Sequence, residues 1–187
     1  RELPNLVQGL AGTVKAVFGV KPDPDFTSLA EAPRTIFNVN VTPQRRVATQ
    51  ATNLARLKAI GEAAGGSIND VLLAACSGAI RRYLLELDKL PKKSLIASVP
   101  VALARDASEA GGNAISFANV KMGTDIADVR ERFELISRSS VAGRTYLKQM
   151  SHTALIDYTV LISSPQMLTL VPGIGARLPP IYNVIIS

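Results

Sequence analysis

The sequence predicts an α/β domain in which helices cover a central sheet. Apolar residues recur at helical spacing in several stretches, while other stretches alternate or run continuously apolar, as strands do. Of the 187 residues, 47% are hydrophobic and 19% are charged, so a packed core can form and disorder throughout is excluded. Helices and strands mixed in this way favour one layered domain.

The first part of the chain is predicted to begin with a helix over residues 3–18, followed by a loop or linker up to Pro33. Residues 35–41 and 45–52 alternate between apolar and polar side chains, which predicts two strands. A second helix follows, and its apolar positions are Leu54, Leu57 and Ile60. We expect it to end at the paired glycines after residue 64.

A long helix is predicted over residues 71–87, which are rich in Leu, Ala and Ile. Ser67 stands at the N-cap position, and Asp70 falls three residues later, the spacing of a capping box. Cys76 lies inside this helix among alanines, and we expect it to be buried. Such surroundings raise a thiol pKa, so core packing is favoured over a nucleophilic role.

The second half of the chain continues the α/β pattern. Residues 95–103 predict a strand covered on both faces, and residues 114–122 predict another. Thr124 is a candidate N-cap for a further helix, whose apolar positions are Ile126, Val129, Phe133 and Ile136. Residues 158–176 carry no charge, but prolines and glycines interrupt them, so we expect a buried or interfacial helix and turn. Residues 181–187 predict a closing strand.

Charge and composition exclude several classes of function. The net charge of +6 is mild, and the basic residues form pairs without interleaved aromatic residues, so nucleic-acid binding is not favoured. One Cys and one His provide neither an internal disulfide nor a zinc ligand set, which predicts a reducing compartment and no structural metal. The first residue is Arg1 and no signal-peptide core follows, so we expect a piece of a longer protein.

Three candidate sites for chemistry have competing structural interpretations. His152 and Asp157 are five residues apart, which does not place them on one helix face, so a polar structural role is favoured over a catalytic base. Gly173 and Gly175 lack the rest of a dinucleotide fingerprint and indicate a turn. Asp70 can cap its helix and complement the helix dipole, and a catalytic role is the alternative.

A set of short motifs, ordered along the chain, resembles the bacterial wax ester synthase/diacylglycerol acyltransferase family. The resemblance covers nearly everything after residue 30. Its elements are Asn69-Asp70, Pro33-Arg34-Thr35 with Phe37-Asn38, Arg45-Arg46, the run from Gly78 to Leu84, Val99-Pro100-Val101, Gly112-Asn113 with Thr124-Asp125, and the run from Asn183 to Ser187.

The resemblance implies a two-lobed fold like that of chloramphenicol acetyltransferase and condensation domains, a CoA-dependent acyltransferase fold with a tunnel between the lobes. It implies that residues 1–32 are a helix and linker from the preceding lobe and that residues 33–187 are part of the C-terminal lobe. The family's catalytic motif, two adjacent histidines followed after three residues by Asp-Gly, has no counterpart here. Catalytic residues are therefore expected outside this chain, with Asn69 and Asp70 supporting the active site.

The function implied is transfer of a fatty acyl group from acyl-CoA to a long-chain alcohol or diacylglycerol, with no metal or prosthetic group. The expected partners are these substrates, the preceding lobe and, as a further prediction, a membrane or lipid-inclusion surface next to the cytoplasm. Gly173 and Gly175 are then candidates for a turn in the acyl tunnel. Two alternatives keep the fold: a non-catalytic binding or scaffolding lobe, and a condensation-type transferase acting on carrier-bound substrates.

Overall fold

The computed structural model describes residues 23–28, 31–39, 43–102, 115–150, 155, 158–160 and 180–187. The elements in chain order are α1 (Leu54–Ala64), α2 (Ile68–Glu86), β1 (Ile96–Ala102), β2 (Ile115–Lys121), α3 (Val129–Lys148) and β3 (Val184–Ile185). The α/β class predicted from the sequence is confirmed. The predicted helix over residues 3–18 lies outside the described residues.

The strands form a sheet in the order β2-β1-β3. β1 pairs with β2 in antiparallel fashion, with Ile96 opposite Lys121 and Val99 opposite Ala118. β1 pairs with β3 in parallel, with Ala97 opposite Val184. The closing strand predicted over residues 181–187 is thus present but short.

One face of the sheet packs against α2 and α3. A main cluster of buried side chains joins these layers, and it consists of Leu73, Leu84, Leu95, Ala97, Val99, Val120, Met122 and Ile136. The first four residues of β1, Ile96 to Val99, are buried, whereas the strand becomes progressively exposed towards Ala102. The prediction that both faces of this strand are covered is therefore confirmed for its first half.

Local sequence determines where α1 and α2 begin and end. The Asn53 side chain accepts hydrogen bonds from the backbone N–H groups of Ala55 and Arg56, and α1 ends at Gly65 in the left-handed conformation. α2 begins after Ser67 and ends at Glu86. Its end has the paired backbone bonds of a Schellman motif, with Asp88 at a positive φ of 53°.

A second, smaller cluster joins residues 23–28 to α3. The rings of Phe26 and Tyr146 have centroids 4.3 Å apart, and those of Tyr146 and Tyr158 are 6.0 Å apart. The buried Thr27 hydroxyl lies 3.2 Å from the Ser139 hydroxyl. Residues assigned from sequence to a linker thus pack closely on the domain, and the domain boundary after residue 32 stays a prediction.

Two predicted strands and one predicted cap are wrong. The described residues 35–39 form a turn, and residues 45–52 are irregular, since neither segment pairs with a strand in the described part of the chain. α3 is capped by Asp128, whose carboxylate accepts the Glu131 N–H at 2.8 Å. Thr124 is fully buried, and its hydroxyl instead accepts the backbone N–H of Leu95 at 2.9 Å.

The predicted burial of Cys76 is also wrong, since its side chain is only half-buried. Residues 158–160 are helical, as predicted for the start of the uncharged segment, while residues 161–176 lie outside the described ranges. No single helix in the described ranges is long and apolar enough to span a membrane. α1 and α2 together meet those criteria of length and composition, but the pair is bent by 96° at the break between them.

Two glycines with positive φ provide a matched test of the fold. At Gly123 (φ 58°) an added Cβ would lie 2.9 Å from Cγ of Arg132, whereas at Gly65 (φ 73°) it would meet nothing within 4 Å. We expect Gly65→Ala to cost about 1–2 kcal/mol for the left-handed backbone alone. Gly123→Ala should cost about 1 kcal/mol more, because the buried Arg132 must also move. Thermal unfolding of the purified variants measures both, and equal losses would contradict the packing described around Gly123.

Candidate functional site

Asp70 lies at the third position of α2 and completes the predicted capping box. Its Oδ2 accepts hydrogen bonds from the backbone N–H and the hydroxyl of Ser67, both at 2.8 Å. The Asp70 N–H in turn donates to Ser67 Oγ at 3.2 Å. The carboxylate therefore fixes the first turn of α2 and complements the positive end of the helix dipole.

The same carboxylate connects α2 to α3. Asp70 is 2% exposed, and the Ser137 hydroxyl of α3 donates to its Oδ2 at 3.5 Å. Its other oxygen, Oδ1, is buried and has no hydrogen-bond partner in the described part of the chain. Asp70 is thus turned into the protein, with its hydrogen bonds directed to two helices. Its role in supporting an active site stays a prediction.

Asn69, the residue before Asp70, is exposed and borders a cavity of about 220 Å³. The cavity lies between the start of α2, the second half of α3 and the sheet. Its floor is apolar and consists of Val99, Pro100, Val101, Ala102, Ala118 and Val120. Its polar lining residues are Asn69, Ser140 and Arg144. The sequence motifs contain Asn69 and three floor residues, Val99, Pro100 and Val101, whereas Ser140 and Arg144 were not predicted.

Arg144 is held in place by its own helix. Its guanidinium Nη1 donates to the hydroxyl of Ser140, one turn earlier, at 2.9 Å. Ser140 is 3% exposed, so this bond fixes a half-buried cation beside the apolar floor. The only sequence signal for the pair is the spacing of four between Ser140 and Arg144, which places them on one helix face.

The family-motif residues near Pro33 and Asn183 meet in one hydrogen-bond network. The Asn183 amide donates to the Pro33 carbonyl at 2.6 Å and to Asn38 Oδ1 at 2.7 Å. Asn38 Oδ1 also accepts from the Thr35 hydroxyl at 3.1 Å, and its amide donates to the Tyr182 carbonyl, also at 3.1 Å. These motif residues form a structural joint between the 33–38 turn and the end of the chain.

Asn183 also satisfies both backbone groups of Ile96, the first residue of β1. Its Oδ1 accepts the Ile96 N–H at 2.9 Å, and its own backbone N–H donates to the Ile96 carbonyl at 2.8 Å. It thereby pairs with β1 just before β3 begins. Asn38 belongs to a quoted motif, but its contact with Asn183 was not predicted because the two residues are 145 positions apart.

Of the other predicted site residues, some lie at the surface and the rest lie outside the described residues. The side chains of Arg34 and Ser187 are exposed. Asn113, Gly173 and Gly175 lie outside the described residues, as do His152 and Asp157. Within the described ranges, no group of three His, Cys, Asp or Glu side chains could hold a metal ion.

Three tyrosines have perturbed acidities. Burial raises the pKa of the Tyr158 hydroxyl far above its usual value, and the neighbouring Tyr146 raises it further. Burial also raises the pKa values of Tyr146 and Tyr182. These hydroxyls therefore stay protonated at neutral pH, and none is suited to act there as a base.

Removing the charge of Asp70 tests its role at the start of α2. Asp70→Asn should lower the free energy of unfolding by about 0.5–2 kcal/mol through the cap and the dipole. Asp128→Asn is the control, because Asn is as good an N-cap as Asp and the side chain is exposed. Chemical denaturation measures both variants. Unchanged stability would contradict the capping role and favour the catalytic alternative.

Removing Asn183 tests the joint. Asn183→Ala should cost about 1–3 kcal/mol, because it leaves the buried Ile96 N–H and the Pro33 carbonyl without these partners. Asn119→Ala is the control, since the buried Asn119 amide makes one long bond, 3.4 Å, to the Ile181 carbonyl. Thermal unfolding should show a clearly smaller loss for the control. Similar losses would mean that Asn183 acts only as a filler of space.

Comparison with known proteins connects this geometry to one family. A family model described as the wax ester synthase/diacylglycerol acyltransferase catalytic domain matches residues 1–72. A Mycobacterium tuberculosis protein named as a probable diacylglycerol O-acyltransferase is 36% identical over 183 residues, covering 97% of this chain and 40% of that protein. A Mycobacterium bovis protein with a provisional name for the same activity is 42% identical over 155 residues, covering 83% of this chain and 34% of that protein.

A solved structure agrees with the sequence relatives. The wax ester synthase/diacylglycerol acyltransferase from Marinobacter aquaeolei VT8 matches with a TM-score of 0.69 and 28% identity, covering 98% of this chain and 38% of that one. The fold is thus that of a CoA-dependent, condensation-like acyltransferase. The chain spans less than half the length of each of these relatives. Sequence and structure together place the chain in the wax ester synthase/diacylglycerol acyltransferase family.

Proposed function

We propose that the full-length protein carrying this chain transfers a fatty acyl group from acyl-CoA to a long-chain alcohol or diacylglycerol. The observation that carries the proposal is the similarity to diacylglycerol O-acyltransferases, which extends over 97% of the chain. The likeness to the Marinobacter enzyme supports it independently, because it covers 98% of the chain in three dimensions. The product is a triacylglycerol or a wax ester.

The proposed reaction needs one base and no metal or prosthetic group. The base takes the proton of the acceptor hydroxyl, and the oxygen attacks the thioester carbonyl. The new C–O ester bond forms as the C–S bond breaks, and the CoA thiolate leaves and is protonated to free CoA. The family resemblance assigns the base to a histidine motif that this chain does not contain, so this chain contributes binding and positioning.

The described residues support such a contribution. Asp70 holds the start of α2 against α3, which fixes Asn69 at one side of the cavity. The apolar floor suits an aliphatic part of a substrate, and Arg144 adds a positive charge. We further propose that the preceding lobe completes the substrate tunnel and that the protein works in the cytoplasm at a membrane or lipid-inclusion surface.

An acyl-transfer assay on the purified full-length protein tests the proposal. Palmitoyl-CoA is supplied with hexadecanol or with diacylglycerol, and free CoA is followed with a thiol reagent while the ester product is identified separately. We expect CoA release that depends on the acceptor. Faster release with hexadecanol would identify wax ester as the preferred product, and faster release with diacylglycerol would identify triacylglycerol. A reaction without acceptor measures simple thioester hydrolysis.

No acceptor-dependent release from folded protein would contradict the proposal. The non-catalytic lobe would then be the better interpretation if acyl-CoA still binds. Transfer of carrier-bound acyl groups in place of acyl-CoA would favour the condensation-type alternative.

A further inference from the structure

The positive side chains of α3 fall into two groups. In the first half of the helix, Arg130 pairs with Glu134 at 3.2 Å and Arg138 pairs with Asp25 at 3.3 Å. Arg132 is buried, and its Nη1 donates to the Ile126 carbonyl at 2.8 Å. Each of these cations therefore has an internal structural partner.

The two cations in the last part of α3 differ from these. Arg144 hydrogen-bonds to the neutral Ser140, and no described carboxylate forms an ion pair with Arg144 or Lys148. Arg144 and Lys148 are four residues apart, so their Cβ atoms lie about 6 Å apart on one helix face. Within the described ranges these two positive charges therefore have no ion-pair partner, and Arg144 lines the cavity.

None of the described residues that line the cavity has a negative side chain. Its lining combines an apolar floor with the amide of Asn69, the hydroxyl of Ser140 and the guanidinium of Arg144. The Arg144 guanidinium could donate hydrogen bonds to the oxygens of a phosphate group at the mouth of the cavity. The apolar floor could contact a carbon chain attached to that group. A neutral lipid could contact the apolar floor, but it would not pair with the charges of Arg144 and Lys148.

We propose that Arg144, assisted by Lys148, binds a phosphate group of the acyl-CoA donor at this cavity. The inference rests on the proposed function, in which acyl-CoA is the anionic substrate, whereas a long-chain alcohol and a diacylglycerol carry no charge. The Ser140 hydroxyl positions the Arg144 side chain for this contact. The cavity floor receives the part of the donor that adjoins the phosphate.

The first experiment measures CoA binding without turnover. Isothermal titration of CoA into the full-length protein is compared for the unsubstituted chain, Arg144→Met and Lys148→Met. We expect Arg144→Met to weaken CoA binding about tenfold, and Lys148→Met to have a smaller effect because its side chain is exposed. Arg144→Lys should recover part of the loss, since it restores the charge but not the planar fork. Higher salt should reduce the difference.

Arg130→Met is the matched control. It removes one positive charge from the same helix, but at a position that is already paired with Glu134 and exposed. Its CoA affinity should match that of the unsubstituted protein. A thermal melt of every variant establishes that the folded fraction is unchanged at the assay temperature.

Kinetics provide a second readout. The KM for palmitoyl-CoA should rise in Arg144→Met, while the KM for a palmitoyl-pantetheine thioester, which has no phosphate, should stay unchanged. An equal rise for both donors would overturn the phosphate contact. A loss of binding to phosphatidylglycerol vesicles, with CoA affinity intact, would overturn it too and assign the charges to a lipid surface.

The two proposals fail in different ways. If acyl transfer proceeds and Arg144→Met binds CoA as tightly as the unsubstituted protein, the inference about Arg144 is wrong and the proposed function stands. If the unsubstituted protein neither binds CoA nor transfers an acyl group, the proposed function fails, and the inference fails with it.

Discussion

The burial of the first half of β1 is the constraint on which the rest of the structure depends. A buried strand must pair its backbone groups, because an unpaired buried N–H or C=O costs as much as a lost hydrogen bond. At Leu95, just before the strand, the N–H donates to the Thr124 hydroxyl and the carbonyl accepts the Met122 N–H. At Ile96 both groups pair with Asn183. Residues far apart in sequence, Met122, Thr124 and Asn183, therefore satisfy the backbone groups at the start of one strand.

This requirement explains where the family motifs lie. Asn183 can serve β1 only if its side chain is oriented, and the Pro33 carbonyl and Asn38, 145 positions away, provide that orientation. Residues that lie far apart along the chain thus meet at one joint beside β1. The hydrogen bonds of these motif residues give them a structural role in the pairing of a buried strand.

The same contrast between local and distant partners explains what the sequence could predict. The capping box of α2 was predictable because Ser67 and Asp70 are three residues apart and depend on little else. Thr124 has the chemistry of an N-cap, but its hydroxyl is bonded to Leu95, 29 positions away, so the helix begins later, after Asp128. The alternation in residues 35–39 resembles a strand, yet Asn38 joins this segment to the sheet by side-chain bonds in a turn.

The candidate site was less predictable than the fold, because no single segment contains it. The cavity draws its lining from α2, β1, β2 and α3, and only the spacing of Ser140 and Arg144 is visible locally. Asn69 was identified through its motif, while its position beside Arg144 depends on how α2 packs on α3. The contact between Asp70 and Ser137 sets that packing.

The two ends of β1 have different roles: its first half belongs to the core, and its last residues line the cavity. β1 is buried from Ile96 to Val99 and opens towards Ala102, where it forms the cavity floor. α3 lies alongside β2, with Ser139 bonded to the Lys121 N–H at one end and its last turns towards the other. The arginines of α3 that have internal partners therefore lie near the buried half of β1, whereas Arg144 lies near its exposed end. β1 becomes more exposed towards the end where Arg144 lines the cavity, whereas Ser116 and Ala118 of β2 stay buried there, so the proposed binding site rests on a packed strand.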